Sequence, residues 1–364
     1  MSYKCEILAD SISPQGHRIT TYKVTYPRII HAKFLRHGML SRNVANSRAI
    51  PFAKMVKDVE ENPFIPIAWQ KDHKGMQGTE YLTGEDDTIA RNRWKYNAKE
   101  AVEMAKFMHG VGVTKQLCNR LLEPFVWTTE IITGTEWDNF FELRCPQYVV
   151  NWYSSQKNKT EIFLRRKEVI NHVEENNLKN GWENCRNWDD NQWVQINNSQ
   201  AEIHIQKIAE MMWDAMNESV PKELKAEEWH IPYGDNFDWD EVLKIITGDK
   251  ATDSMLAIKI ATARAARISY TTFGDDPKID HEADIKLHDR LLEQRHMSPF
   301  EHCARVMHES EYYSYIKDKY PTIMEENGTL VNTEVYPEQT TLNINYGWCR
   351  NFRGFIPYRY LLET

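Results

Sequence analysis

The sequence LRHGMLSRNVANSR, residues 35–48, places three arginines, one histidine, two serines and two asparagines in one short stretch. It follows residues 22–34, whose β-branched and aromatic side chains predict a strand. The planar donor fork of arginine matches the oxygens of phosphate and carboxylate groups. The stretch therefore predicts either a loop that binds a phosphate- or carboxylate-bearing ligand or an ordinary basic surface loop.

Apolar periodicity and end signals predict the elements around this stretch. Helices are expected at 98–108 with Gly110 as the stop, 114–123 with Thr114 as N-cap, 200–217, 254–269 and 283–295. Strands are expected at 125–132 and 299–307. Thr135 is expected to open one more helix, with Asp138 in the capping-box position.

Two arginines lie beside apolar residues in the predicted helices. Arg120 comes three residues after Leu117, and Arg144 follows Phe140 and Phe141 at helical spacing. Burying an unpaired guanidinium costs several kcal/mol, so each of them needs an anion or access to water. The anion is either an internal carboxylate or a bound phosphate, and the arginine-rich stretch upstream makes the phosphate more attractive.

Composition limits the class of protein. The 364 residues are 41% hydrophobic, enough for one large domain or two, and the net charge of -8 argues against nucleic acid or an anionic membrane as the main partner. The six cysteines are dispersed without a Cys-x-x-Cys pair, which favours a reduced, cytoplasmic protein without structural disulfides. No apolar run approaches the length of a membrane span, and the N-terminus lacks the apolar core of a signal peptide.

The order of residues in 35–48 is more specific than its composition. Arg36-His37, Ser41, Asn43 and Arg48 resemble the signature of the flavin-dependent thymidylate synthases. Three positions depart from that family's pattern: Gly38 stands where the family has a second arginine, Val44 where it usually has a glutamate, and Asn46 where it has a serine.

Further segments resemble the same family in a different order. GVTKQLCNRLLEPFVWTTEIITGTEWDNFFELR at 112–144 resembles the part that follows the signature, and QAEIHIQKIAEMMW from 200 resembles the next helix. AARISY and HMSPFEH, within 265–302, resemble elements that precede the signature in ordinary members. The chain is therefore similar to the circularly permuted, often viral, branch of the family. Such a permutation is tolerated when the joined ends lie close together at the surface.

The resemblance implies an α+β fold, a twisted β-sheet flanked by helices, assembled as a homotetramer with active sites between subunits. It divides the chain into a signature strand with nucleotide loop and helices (1–144), a polar Asn- and Trp-rich insertion (145–199), a core helix (200–219), a connector spanning the permutation joint (220–253), and a permuted segment with an aromatic, basic tail (254–364).

The implied activity is the transfer of a one-carbon unit from 5,10-methylenetetrahydrofolate to C5 of dUMP, giving dTMP, with FAD as flavin and NADPH as reductant. The residues that match dUMP-binding positions are Ser47, Arg48, Arg120 and Arg144. Those that match FAD-facing positions are Arg36, His37, Asn43, Asn139, Ser269 and Ser298. His296 matches a catalytic histidine beside the folate or pyrimidine ring, with Glu301 and His302 in supporting positions. Arg350 or Arg353 in the tail is a candidate to replace the cation missing at Gly38.

Three alternatives stay open. The first is an enzyme that hydroxymethylates dUMP or dCMP for modified DNA, and the second is a non-catalytic pyrimidine nucleotide-binding homologue. The third is a metal enzyme, because His281, His288, His296, His302 and His308 fall close together in sequence. Their spacing lacks any His-Glu-x-x-His pattern, so satisfied or surface histidines are the simpler interpretation and no metal ligand is predicted.

Overall fold

The main sheet begins as a hairpin between two strands at the N-terminus. In the computed structural model, which describes residues 2–74, 78, 80–154, 157–178, 181–182, 184–234, 252–269, 280–313 and 347–364, strand β1 (Lys4–Ile12) pairs antiparallel with β2 (Arg18–Pro27). Gly16 closes the turn between them with φ of +83°, a backbone region in which glycine has no steric penalty.

The remaining strands are β3 (Ser41–Val44), β4 (Trp127–Gly134), β5 (Tyr148–Ser154), β6 (Lys157–Phe163), β7 (Lys222–Glu223), β8 (Trp229–His230), β9 (Ala304–Val306), β10 (Trp348–Cys349), β11 (Phe352–Arg353) and β12 (Phe355–Pro357). The helices are α1 (His31–Phe34), α2 (Phe52–Glu61), α3 (Gly84–Gly110), α4 (Lys115–Leu122), α5 (Asp138–Arg144), α6 (Arg166–Glu175), α7 (Asp190–Gln195), α8 (Ile203–Glu218), α9 (Thr252–Arg267), α10 (His281–Glu293), α11 (Glu309–Tyr313) and α12 (Tyr358–Glu363). Short 3₁₀ helices cover Arg28–Ile30, Glu123–Phe125, Cys185–Asn187 and Ser298–Glu301.

Five strands form the main sheet in the order β3-β4-β2-β1-β7. Neighbours are antiparallel except β1 and β7, and β3 lies at one edge of the sheet. The largest apolar cluster covers one face, where α5 and α8 pack on side chains from β2 and β4 such as Tyr22, Val24 and Ile132. Burial of this face holds the two helices on the sheet.

The permuted segment builds a second, smaller core. Strands β12, β9 and β8 form an antiparallel sheet, and α9 packs against α10 through a cluster that includes Ile258, Leu287 and Phe300. The 3₁₀ helix Ser298–Glu301 packs against β3. This contact brings the C-terminal part of the chain to the edge of the main sheet.

The insertion has an apolar cluster of its own. The hairpin of β5 and β6 packs with α6 and α7 around Tyr148, Val150, Val169 and Trp193. The buried carboxylate of Glu210 on α8 accepts hydrogen bonds from the Tyr148 hydroxyl and from the backbone N–H of Arg166. Charge and hydrogen bonding thus attach the insertion to the core helix.

The structure changes the predicted bounds of several elements. The strand predicted at 22–34 ends at Pro27, and residues 28–34 are helical instead. Proline has no N–H to donate to a ladder, and the Arg28 N–H bonds to the Val126 carbonyl as the chain leaves the sheet. The helix predicted at 98–108 extends from Gly84 to Gly110, with a first turn rich in carboxylates that favour the positive end of a helix.

Three finer expectations are wrong. Thr135 does not open a helix, since its hydroxyl accepts the backbone N–H of Arg353 and α5 begins at Asp138 without a side-chain cap. Only Ala304–Val306 of the strand predicted at 299–307 is extended, because proline near the start of Ser298–Glu301 favours a helical turn. Leu117 on α4 is 59% exposed, so it does not mark a buried face there.

The α+β class is confirmed, with several sheets and helices in the described parts of the chain. No helix among the described residues is both long and apolar enough to cross a membrane.

Candidate functional site

The edge strand β3 is the place where distant segments of the chain meet. Asn43 donates from its side-chain amide to the Ala265 carbonyl, 222 residues away, at 2.6 Å. The Ser298 hydroxyl donates to the Arg42 carbonyl, 256 residues away, at 3.0 Å. The backbone N–H of Asn46 reaches the Ser269 carbonyl at 3.3 Å. The signature and the two motifs that follow it in sequence are thus adjacent in space.

The end of β3 that begins at Ser41 is organised around His37. The Nε2 atom of His37 accepts a hydrogen bond from Nε of Arg144 at 2.9 Å, and the His37 carbonyl accepts one from the Arg42 guanidinium. Arginine only donates, so this Nε2 carries no proton and the imidazole is neutral. Burial is the largest of the effects that together lower the pKa of His37 to about 4, and the charges of Arg144 and Arg42 act in the same direction.

Several cationic side chains lie near this histidine, and two of them are arginines without a carboxylate partner in the described chain. Arg144 is half-buried, Arg36 is exposed, and neither has a carboxylate within 4.0 Å among the described residues. Burial and then the charge of Arg36 lower the pKa of Arg144. Burial lowers the pKa of nearby Lys33, opposed by Glu202 3.9 Å away and reinforced by both arginines. We name Lys33, Arg36 and Arg144 the cationic corner, and an oxyanion placed there gains several charged donors.

A buried acid lies beneath this end of the site, and the predicted set does not contain it. Glu130 on β4 is 0% exposed, and its carboxylate accepts a hydrogen bond from the Tyr26 hydroxyl. Nε of Arg42 lies 3.9 Å from Oε1, and Nδ1 of His31 lies 3.9 Å from Oε2. Burial raises the pKa of Glu130 to about 7, against the opposing effects of Tyr26, Arg42 and Arg28. A single glutamate inside the strand-like run FVWTTEII was the signal that could have found it.

The other end of β3, after Val44, is held together by uncharged hydrogen-bond donors. The Ser47 hydroxyl donates to Glu123 at 2.6 Å. The buried Asn119 amide donates to the Ser47 carbonyl at 2.6 Å and to the Ile50 carbonyl at 3.1 Å. Arg48 and Arg120 are exposed here. We name this group, Ser47, Arg48, Asn119, Arg120 and Glu123, the loop end.

The predicted dUMP set is therefore divided between the two ends of β3. Arg144 lies in the cationic corner, whereas Ser47, Arg48 and Arg120 lie at the loop end. A strand of four residues spans roughly 13 Å at 3.3 Å per residue. The groups are thus distributed along β3 and not gathered at one of its ends.

The other predicted residues have mixed roles. His296 is exposed just after α10, and Asn139 is exposed on α5. Glu301 accepts a hydrogen bond from Arg359 at 2.6 Å. His302 is 0% exposed with Nδ1 at 2.8 Å from the Thr133 hydroxyl, and burial lowers its pKa to about 3. Glu301 and His302 thus contact protein groups that fix the turn.

Gly38, which departs from the family pattern, and Thr135, which precedes α5, have simple surroundings. A Cβ added at Gly38 meets nothing within 4 Å, so space alone does not require glycine there. Thr135 contacts the backbone of Arg353, which places the tail beside α5. Among the described residues, no group of three or more His, Cys, Asp or Glu side chains is arranged to hold a metal ion.

No protein-family model and no curated protein matches the chain. The solved structures that match it include two crystal structures of a UMP/dUMP methylase PolB from Streptomyces cacaoi. The one bound with 5-Br UMP has 15% identity, covers 40% of this chain and 77% of that chain, and has a TM-score of 0.32. The one bound with 5-Br dUMP has 11% identity, covers 60% and 91%, and has a TM-score of 0.37. Scores this low do not establish a shared fold.

Proposed function

We propose that this protein is a pyrimidine nucleotide methylase. It transfers a one-carbon unit from 5,10-methylenetetrahydrofolate to C5 of dUMP, with FAD and NADPH. The observation that supports this most directly is the meeting at β3, where Asn43 and Arg42 of the signature bond to Ala265 and Ser298. A permuted enzyme needs these segments together in space although its chain separates them.

The cationic corner supports an anionic ligand at this place. Arg36 and Arg144 raise the local positive potential, and neutral His37 adds none. Charged donors of this kind hold phosphate and pyrophosphate oxygens bidentately. In this proposal Arg144 contacts the nucleotide near its pyrimidine, while the phosphate lies towards Ser47 and Arg48.

The residues present fit a flavin dinucleotide in their chemistry. Arg36 and Asn139 are exposed donors, and Arg36 adds a charge that suits a pyrophosphate. The side chains of Asn43 and Ser298 are committed to backbone carbonyls, so they hold β3 in place and do not offer those donors to a ligand. When bound, a reduced flavin supplies the hydride of the reaction.

Two residues have proposed roles beside the ring systems. His296 is exposed, so its imidazole is available to a folate or pyrimidine ring placed against it. Glu301 and His302 keep that turn in position through Arg359 and Thr133. The homotetramer with shared sites belongs to the same proposal, because a second copy can bring its loop end to the cationic corner of the first.

Mass analysis of dUMP tests this proposal after anaerobic incubation with the protein, FAD, NADPH and methylenetetrahydrofolate. The expected product is heavier by one methyl group, and the Arg144→Gln protein yields much less of it. A hydroxymethylated nucleotide would assign the protein to the sibling reaction. Unchanged dUMP that nevertheless binds would overturn the methylase and favour a non-catalytic nucleotide-binding protein.

A further inference from the structure

A cleft lies beneath the loop that follows β3, and no predicted site residue except Ser47 belongs to it. It lies between this loop, α2 and the start of β4. Its lining includes Arg28, Ser47, Asp58 and Trp127. Because the cleft is partly open to solvent, a phosphate group can approach its lining from outside.

Arg28 is the charged donor in this cleft. The residue is half-buried, and its Nη1 atom is buried with no hydrogen-bond partner among the described residues. No carboxylate of the described chain lies within 4.0 Å of its guanidinium, although Asp58 lines the same cleft and has partners of its own. Arg28 lies within the field of buried Glu130, but its Nη1 atom still lacks a hydrogen-bond acceptor, and an oxyanion bound in the cleft would supply one.

A second buried donor points to the same ligand chemistry. Nε1 of Trp127 is also buried without a hydrogen-bond partner in the described structure. Arginine and tryptophan side chains donate hydrogen bonds and do not accept them. Both lining residues therefore have a buried donor that a hydrogen-bond acceptor would satisfy. The positive charge of Arg28 favours an acceptor group that is negatively charged.

We propose that this cleft binds the phosphate monoester of the nucleotide, with Arg28 as its charged donor and the Trp127 indole as a neutral one. The inference rests on the proposed function, since Ser47 lines the cleft and Arg48 follows it directly. Arg28 has no counterpart among the residues carried by the family resemblance. The residue therefore adds a specificity determinant for phosphorylated over unphosphorylated pyrimidine nucleosides.

Arg28→Met tests the assignment against a matched variant, Arg18→Met. Arg18 is also half-buried but is paired through two hydrogen bonds with Asp10. Thermal unfolding is followed for the free proteins and with inorganic phosphate, dUMP or deoxyuridine, and dUMP affinity is measured by calorimetry. The Arg28→Met protein is expected to keep its unfolding midpoint without ligand, whereas Arg18→Met lowers it.

With ligands, the two variants are expected to separate clearly. Arg28→Met should weaken dUMP binding at least roughly tenfold, remove stabilisation by phosphate and leave any binding of deoxyuridine unchanged. Arg18→Met should leave dUMP affinity at the wild-type level. If wild type and Arg28→Met bind dUMP with equal affinity, the inference is overturned. This holds even if Arg28→Met is no longer stabilised by free phosphate.

A conservative second variant keeps the test decisive if Arg28→Met fails to fold. Trp127→Phe removes the indole donor but retains an aromatic ring against Tyr3 and Phe64. It should weaken dUMP binding several-fold and leave deoxyuridine unaffected, and an unchanged dUMP affinity contradicts the assignment. If dUMP binds through Arg28 but is never methylated, the proposed reaction fails and this site stands.

Discussion

The two ends of β3 hold their side chains by different means, although only four residues separate them. At the cationic corner, Arg36 and Arg144 have no carboxylate within 4.0 Å in the described parts of the chain, and a buried acid, Glu130, lies behind Arg42. At the loop end, Asn119 donates to two backbone carbonyls and leaves the nearby arginines in solvent. The first arrangement leaves charge available to a ligand, whereas the second fixes the shape of a loop.

The largest expected effect concerns the buried acid. The pKa of Glu130 is raised from 4.5 to about 7, so between these values the folded protein holds a proton that the unfolded chain has released. The free energy of unfolding of wild type relative to Glu130→Gln should therefore fall as pH rises from about 4.5 to about 7. The total change is about 3 kcal/mol at 1.36 kcal/mol per pKa unit. Urea unfolding of both proteins across this range measures it.

A tyrosine variant provides the control for that titration. The Tyr26 hydroxyl bonds to the Glu130 carboxylate and favours its charged form, so Tyr26→Phe should shift the inflection to higher pH. A difference between wild type and Glu130→Gln that stays constant with pH contradicts the role given to this acid.

Arg144→Gln should give the next largest effect, on ligand binding. A charge-assisted hydrogen bond contributes about 1.5–3 kcal/mol, so dUMP affinity is expected to fall by roughly 10- to 150-fold. Arg186→Gln, at an exposed arginine paired with Glu174 in the insertion, is the matched control and should change nothing. Calorimetric titration with dUMP compares the two, and equal affinities would contradict a ligand-binding role for Arg144 in the cationic corner.

The sequence predicts the motifs that meet at β3 better than it predicts the buried or half-buried residues beside them, Glu130 and Arg28. Residues 35–48 and the two later motifs are recognisable because their spacing is local, and the structure places them together. Glu130 and Arg28 escape such reasoning, because their significance comes from burial beside residues of other strands. Helical periodicity likewise cannot tell whether Leu117 on α4 packs against another element. In the structure, this side chain is exposed.

Asn119→Ala should affect stability more than binding. The buried amide satisfies the carbonyls of Ser47 and Ile50, and its loss leaves both acceptors unsatisfied at a cost of about 1–3 kcal/mol. Denaturant unfolding should show this loss. Asn217→Ala, at an exposed residue whose amide bonds to the Trp213 carbonyl, should cost less than about 0.5 kcal/mol. Similar losses for the two asparagines would mean that the loop end is not fixed by Asn119.

The smallest expected effects are those of Arg48→Gln and Arg120→Gln. Both side chains are exposed, where charge interactions are screened and contribute about 0.2–1 kcal/mol, so dUMP affinity in a dilute, monomeric sample should fall by less than about fivefold. A second copy whose cationic corner faces this loop end would desolvate these arginines and raise that loss to the level of Arg144→Gln. Titrations at low and high protein concentration separate the two cases. If mixing Arg48→Gln and Arg144→Gln chains restores activity, one site draws residues from two copies. Only a shared site can combine the intact Arg144 of the first variant with the intact Arg48 of the second.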